Sequence, residues 1–172
     1  MSRPNLVLIG LPGAGKTTIG RAAARALNWP FIDFDTEIEH RAHASVAEIF
    51  ARHGEDQFRR FEHSLTAELA GCSGMVMSAG GGWVVNDESV ALLRSTSRII
   101  YLRVAPSTVI VRLGLAKSRR PLLDVADPLA AVTEMLARRA PRYETADLIV
   151  DTEVVERKEV IEQVRQYALS LE

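Results

Sequence analysis

Cysteine is nearly absent from this chain. Cys72 is the only one in 172 residues, so no intrachain disulfide and no cysteine-based zinc cluster can form. Charge of one sign is also lacking: Lys and Arg total 21 against 22 Asp and Glu, for a formal net charge of −1. That balance gives no electrostatic footprint for nucleic acid or an anionic membrane. The longest apolar runs have the length of a strand, too short to span a bilayer. No signal-peptide pattern opens the chain, and no Ser/Pro linker, low-complexity tract or internal repeat divides it. The expectation is therefore one cytoplasmic domain over residues 1–172, monomeric, with no nucleic-acid or membrane partner.

The feature that orders the rest is Leu6–Gly20, LVLIGLPGAGKTTIG. Gly10, Gly15, Lys16 and Thr17 satisfy G-x-x-x-x-G-K-[ST], the phosphate-binding loop. Leu6–Ile9 read as a buried parallel strand, and Ile19, Ala22, Ala23, Ala26 and Leu27 form one apolar helical face after the loop. Between them, backbone N–H groups of Gly13, Ala14, Gly15, Lys16, Thr17 and Thr18 can turn inward around an anion at the positive end of the helix dipole. Lys16 can reach the β- and γ-phosphates, and Thr17 can ligate Mg²⁺. A dinucleotide-binding turn is disfavoured, because the spacing is not G-x-G-x-x-G. The chain is read as binding ATP with Mg²⁺.

Further along, strands are expected at Phe31–Ile32, Met75–Ser78, Arg98–Arg103 and Asp147–Val150, alternating with amphipathic helices. This pattern predicts an α/β sandwich around a parallel sheet with right-handed crossovers. Thr36–Gly71 is mostly helical, broken near Ala44–Ser45 and at Gly54, with Ser45 and Glu48 as a capping box. A helix from Pro128 is expected to stop near Arg139, ahead of Pro141. Ala116–Asp127 breaks periodicity and reads as a lid, placed at about 114–127.

Phosphoryl transfer needs a metal, an acceptor held in line, a group at the acceptor hydroxyl and cationic cover. Asp33 and Asp35 lie at a strand's C-terminal end, where open parallel sheets bind ligands. If the strand continued through both, they would point to opposite sides, one to the metal and one to an acceptor. Asp35 either orients and deprotonates a hydroxyl or merely caps a helix at Thr36. Arg59 and Arg60 diverge by about 100° on a helix, so one can face a cleft while the other is solvated. Gly80, Gly81 and Gly82 allow close backbone approach and offer N–H donors, or form a plain turn. Arg119 and Arg120 are candidates for cover from the lid, and Arg138, Arg139 and Arg142 cluster at a helix end.

Taken in order, GLPGAGKTTIG, FIDFD, FRRFE, GGG, RRPLL and RRAPRY resemble the motifs of the shikimate kinases over nearly the whole chain. The resemblance implies a three-layer α/β/α P-loop kinase with a five-stranded parallel sheet in order 2-3-1-4-5, a mobile lid, and an acceptor-binding helical region at about 34–62. It implies transfer of the ATP γ-phosphate to the 3-hydroxyl of shikimate. By the same resemblance Asp33 holds magnesium through water, and Asp35 binds the acceptor hydroxyls as the base candidate. Arg59 and Arg139 grip the substrate carboxylate with the Gly81 and Gly82 backbone. Gly80 contacts ring hydroxyls, Glu62 orients the first arginine, and Arg120 closes over the phosphates. The chain departs from the family at Trp83, where small residues are usual and where the indole either packs beside the acceptor or turns outward. It departs also at Ala79 and in Leu113–Lys117. Another small-molecule kinase of this fold, such as a gluconate kinase, or a non-catalytic ligand sensor built on it, are the alternative readings.

Overall fold

The computed structural model describes residues 3–114 and 125–171. Its elements follow in order as β1 (Asn5–Ile9), α1 (Lys16–Leu27), β2 (Phe31–Asp33), α2 (Phe34–Ala42), α3 (Val46–Leu69), β3 (Val76–Ser78), a 3₁₀ turn (Trp83–Val85), α4 (Asp87–Arg94), β4 (Ser97–Arg103), α5 (Pro106–Gly114), α6 (Pro128–Tyr143), β5 (Leu148–Asp151) and α7 (Arg157–Leu169). All four strand pairings are parallel, in the order β2-β3-β1-β4-β5. β1 lies at the centre and is buried from end to end, which is why NLVLI has no polar–apolar alternation. Among the described residues no helix is long and apolar enough to cross a membrane.

The layers follow from chain direction. The crossover through α1 travels from β1 toward the β2 edge, whereas those through α3, α4 and α5–α6 travel back toward β5. Right-handed connections put the two sets on opposite faces. The packing of α1 beside α7, and of α3 beside α4, agrees. The ligand-binding edge is then the C-terminal end of β1, β2 and β3, where the loop after Ile9, the Asp33–Asp35 segment and the triple glycine meet.

Local expectations fare unequally. Ser45 and Glu48 form the capping box of α3, with Glu48 N donating to Ser45 Oγ (3.2 Å) and Ser45 N to Glu48 Oε2 (2.8 Å). Gly54, at φ 77° and ψ 175°, leaves the helical conformation and breaks α3 into two helical segments, as expected. β2 stops at Asp33, however, so strand alternation does not govern Asp35. Asp33 caps α2, accepting from Thr36 N at 3.1 Å, and Asp35 rides in the first helical turn. The cap is thus Asp33 and not Asp35. α6 also runs past Pro141 to Tyr143. Proline withholds one N–H from the ladder, but Tyr143 beyond it is buried, stacks on Tyr101 at 4.8 Å between centroids, and donates to Gly81 O at 2.9 Å. Those tertiary contacts hold the last turn in place. Trp83 neither turns outward nor lines the cavity described below: it is fully buried, edge-on to Phe34 at 6.3 Å.

Candidate active site

The loop between β1 and α1 needs backbone that only glycine adopts without strain: Gly13 and Gly15 sit at φ 81° and 96°. It encloses the Lys16 ammonium, which donates to the carbonyls of Gly10 (2.9 Å) and Leu11 (3.0 Å). Burial pushes the Lys16 pKa down to about 8, against the pull of Asp35 and Asp33. A cavity of about 310 Å³ opens from this loop toward Asp33, Asp35, Ser78 and Gly81.

The two aspartates occupy different environments. Asp33 accepts from Thr17 Oγ1 at 2.6 Å while it caps α2. Burial pushes its pKa up, but hydrogen bonds from Thr17, Thr36 and Ser78 outweigh that and hold it below the usual carboxylate range. The Thr17 hydroxyl and the Asp33 carboxylate form an adjoining pair of hard oxygen donors beside the phosphate loop, a set that suits Mg²⁺. Asp35 is raised instead, by burial first and by the Asp33 charge second, with Lys16 and Arg59 opposing. Its Oδ1 has no hydrogen-bond partner among the described residues. Two carboxylates two residues apart are pushed in opposite directions, the pattern that separates acid–base roles.

The remaining candidate residues gather around the triple glycine. A Cβ on Gly80 would lie 2.6 Å from Glu62 Oε1 and 3.1 Å from Asp35 Oδ1, so both carboxylates face that backbone directly. A Cβ on Gly82 would overlap the Arg59 guanidinium, and one on Gly81 would lie 3.4 Å from Arg139 Nη1. Neighbouring glycines therefore carry the two guanidiniums. Arg139 Nη1 donates to Gly81 O at 2.9 Å, and Arg59 Nη1 to Glu62 Oε2 at 2.6 Å. Glu62 is 2% exposed. Burial raises its pKa and outweighs the pairing with Arg59, whereas that pairing keeps the less buried Arg59 above its ordinary value.

The shikimate kinase family model matches residues 12–168. The chain belongs to the shikimate kinase family. It is 42% identical over 162 residues to the shikimate kinase of Moorella thermoacetica, covering 94% of this chain and 92% of that one. The structure of the Acinetobacter baumannii shikimate kinase in complex with shikimate superimposes with a TM-score of 0.89 at 32% identity, over 97% of this chain and 93% of that one. A gluconokinase from Sinorhizobium meliloti superimposes with a TM-score of 0.67 at 18% identity, over 98% and 93% of the two chains, a likeness of fold alone.

Within this shikimate kinase framework the structure gathers Gly13, Gly15, Lys16, Thr17, Thr18, Asp33, Asp35 and Gly81 around one cavity. Arg59, Glu62, Gly80, Gly82 and Arg139 adjoin it through the contacts above. Ala14 is buried beneath the loop and donates its N–H to Leu11 O, so it shapes the loop from inside. Of the neighbouring arginines, Arg60 is exposed, Arg138 pairs with Glu134, and Arg142 pairs with Asp87 at 3.2 Å. Of the lid expected at 114–127, residues 115–124, including Arg119 and Arg120, lie outside the described residues. Sequence reasoning missed Ser78, whose hydroxyl lies 3.4 Å from Thr17 Oγ1, and Tyr143. Ser78 could have been found from its place at the C-terminal end of β3, immediately before the glycines.

Proposed function

We propose that this chain transfers the γ-phosphoryl group of ATP to the 3-hydroxyl of shikimate, giving shikimate 3-phosphate and ADP. The observation that carries the acceptor assignment is the pair of guanidiniums on consecutive glycines, Arg139 at Gly81 and Arg59 at Gly82, beside the half-buried Asp35 and the buried Glu62. Arginine forks suit a substrate carboxylate, and carboxylates suit ring hydroxyls. The loop backbone and Lys16 hold the phosphates, while Thr17 and Asp33 would hold Mg²⁺, which supplies charge neutralisation on the β- and γ-oxygens when bound. Asp35 accepts the proton of the attacking hydroxyl. The new bond forms from the substrate oxygen to the γ-phosphorus, the bond from that phosphorus to the β–γ bridging oxygen breaks, and ADP leaves with those electrons. The raised pKa of Asp35 makes it a stronger base than a solvated aspartate. Arg120, assigned by its place before Pro121-Leu122-Leu123, completes the cationic cover. The enzyme works as a cytoplasmic monomer on these two small molecules. A coupled ADP-release assay with shikimate, gluconate and related acids tests the reading. Magnesium-dependent turnover with shikimate is expected, and its absence refutes the proposal.

A further inference from the structure

Trp83 is the largest fully buried side chain in the described structure. Its indole N–H donates to Thr66 Oγ1 at 3.0 Å inside the protein. An indole nitrogen only donates, so the Thr66 hydroxyl must accept there and send its own proton elsewhere. It sends it to Glu62 O, at 2.7 Å. The direction of this relay is thereby set: Trp83 to Thr66 to the backbone of Glu62. Glu62 in turn holds Arg59 by its carboxylate. At its other end Trp83 directly follows Gly82, against which the Arg59 guanidinium lies, and its backbone N–H closes the turn on Gly80 O at 3.0 Å. The ring meets Phe34 edge-on, and Phe34 stands between Asp33 and Asp35. One side chain therefore ties the triple-glycine turn to the helical turn that carries Arg59 and Glu62. None of these contacts reaches the phosphate loop.

We propose that Trp83, acting through Thr66, is a positioning residue for the acceptor carboxylate: it sets the register of the glycine turn on α3, and hence the spacing between Arg59 and the Arg139–Gly81 pair. The proposal rests on the acceptor being shikimate. Buried hydrogen bonds of known direction pre-organise a site before binding, and this relay takes its direction from a donor-only indole N–H.

The test uses steady-state kinetics of the full chain with Thr66→Val, which removes the hydroxyl at nearly constant volume, Trp83→Phe, the double variant, and Thr66→Ser. With Thr66→Val and Trp83→Phe, KM for shikimate should rise roughly threefold to tenfold, the span of one buried hydrogen bond. KM for ATP should stay within about twofold. The double variant should be little worse than either single one, and Thr66→Ser should restore the wild-type KM. Equal shifts in both KM values, additive effects in the double variant, or an unchanged shikimate KM would each overturn the proposal. If Trp83→Phe does not fold, the contrast of Thr66→Val with Thr66→Ser decides alone. Failure of wild-type enzyme to turn over shikimate would instead overturn the assignment of the acceptor.

Discussion

Removing Arg59 should destabilise the fold through the residue it leaves behind. Its Nη1 lies 2.6 Å from Glu62 Oε2, and Glu62 is 2% exposed while the Arg59 side chain is 26% exposed. Arg59→Ala strands a buried carboxylate whose other oxygen already lacks a hydrogen-bond partner. Breaking a buried pair from one side costs about 3–5 kcal/mol. Partial exposure of Arg59, and the option for Glu62 to take a proton, place this case near about 3 kcal/mol. For a chain of this length that corresponds to a fall in Tm of about 6–12 °C by scanning calorimetry. Adding Glu62→Gln removes the stranded charge and should recover about half of the loss. The sign with pH follows from linkage. With Arg59 present, burial already holds the Glu62 pKa above its unfolded value, and without Arg59 it rises further. The native state then keeps a proton that the unfolded chain has released, so the deficit should shrink as pH falls from 8 through the folded pKa. Shikimate KM should stay high in both variants, since the guanidinium is missing from each. A double variant less stable than Arg59→Ala, or a deficit identical at pH 8 and pH 5, would show that Glu62 is not the group exposed to the loss.

Asp35→Asn should lower kcat by about 10²–10⁴, the usual contribution of a positioned base, with ATP affinity nearly intact; because burial and the neighbouring Asp33 charge disfavour the carboxylate, the same variant should melt at a higher temperature than wild type. Turnover unchanged within a factor of two would remove Asp35 from the chemistry. Arg139→Ala should raise KM for shikimate by about 2–3 kcal/mol equivalent, roughly 30–150-fold, and an effect confined to ATP would move that arginine to the nucleotide side. ATP affinity, followed by calorimetry, should fall as pH rises through about 8, because the phosphates favour the charged form of Lys16 and the free protein releases that proton there; a flat profile from pH 7 to 9.5 would contradict this account.

How far sequence carries differs from residue to residue, and the reason is range. The phosphate loop was readable because everything it requires is local: a strand to deliver it, glycines for positive φ, and a helix whose N-terminus faces the anion. That one of Arg59 and Arg60 can face a cleft is local too, since the angle between adjacent helical positions is set by the backbone alone, but which one does so came only from the family resemblance. Asp33 and Asp35 were identifiable as the right acids at the right edge, but their division of labour depended on where β2 stops. That depends on Asp33 capping α2 while also accepting from Thr17. The second of those partners is distant in sequence, so no local pattern shows it. Pro141 misled for a related reason: the rule that proline ends a helix concerns the backbone ladder, and the Tyr143 contacts with Tyr101 and Gly81 override it from outside the helix.

Trp83 is the extreme case. Beside a glycine turn, an indole reads as a pocket wall or a surface ring, because nothing local shows which acceptor its N–H will take. The acceptor is Thr66, seventeen positions earlier, and Thr66 is available only because its hydroxyl proton is already committed to Glu62 O. Neither fact is visible without the fold. Yet both bear on Arg59 and the glycines, which the family resemblance had placed in the acceptor site. A motif can therefore name the groups that touch a substrate while leaving unnamed the residue that sets the distance between them. In this protein the control we propose on that distance is the hydrogen bond from the Trp83 indole to Thr66, which belongs to none of the substrate-contacting motifs.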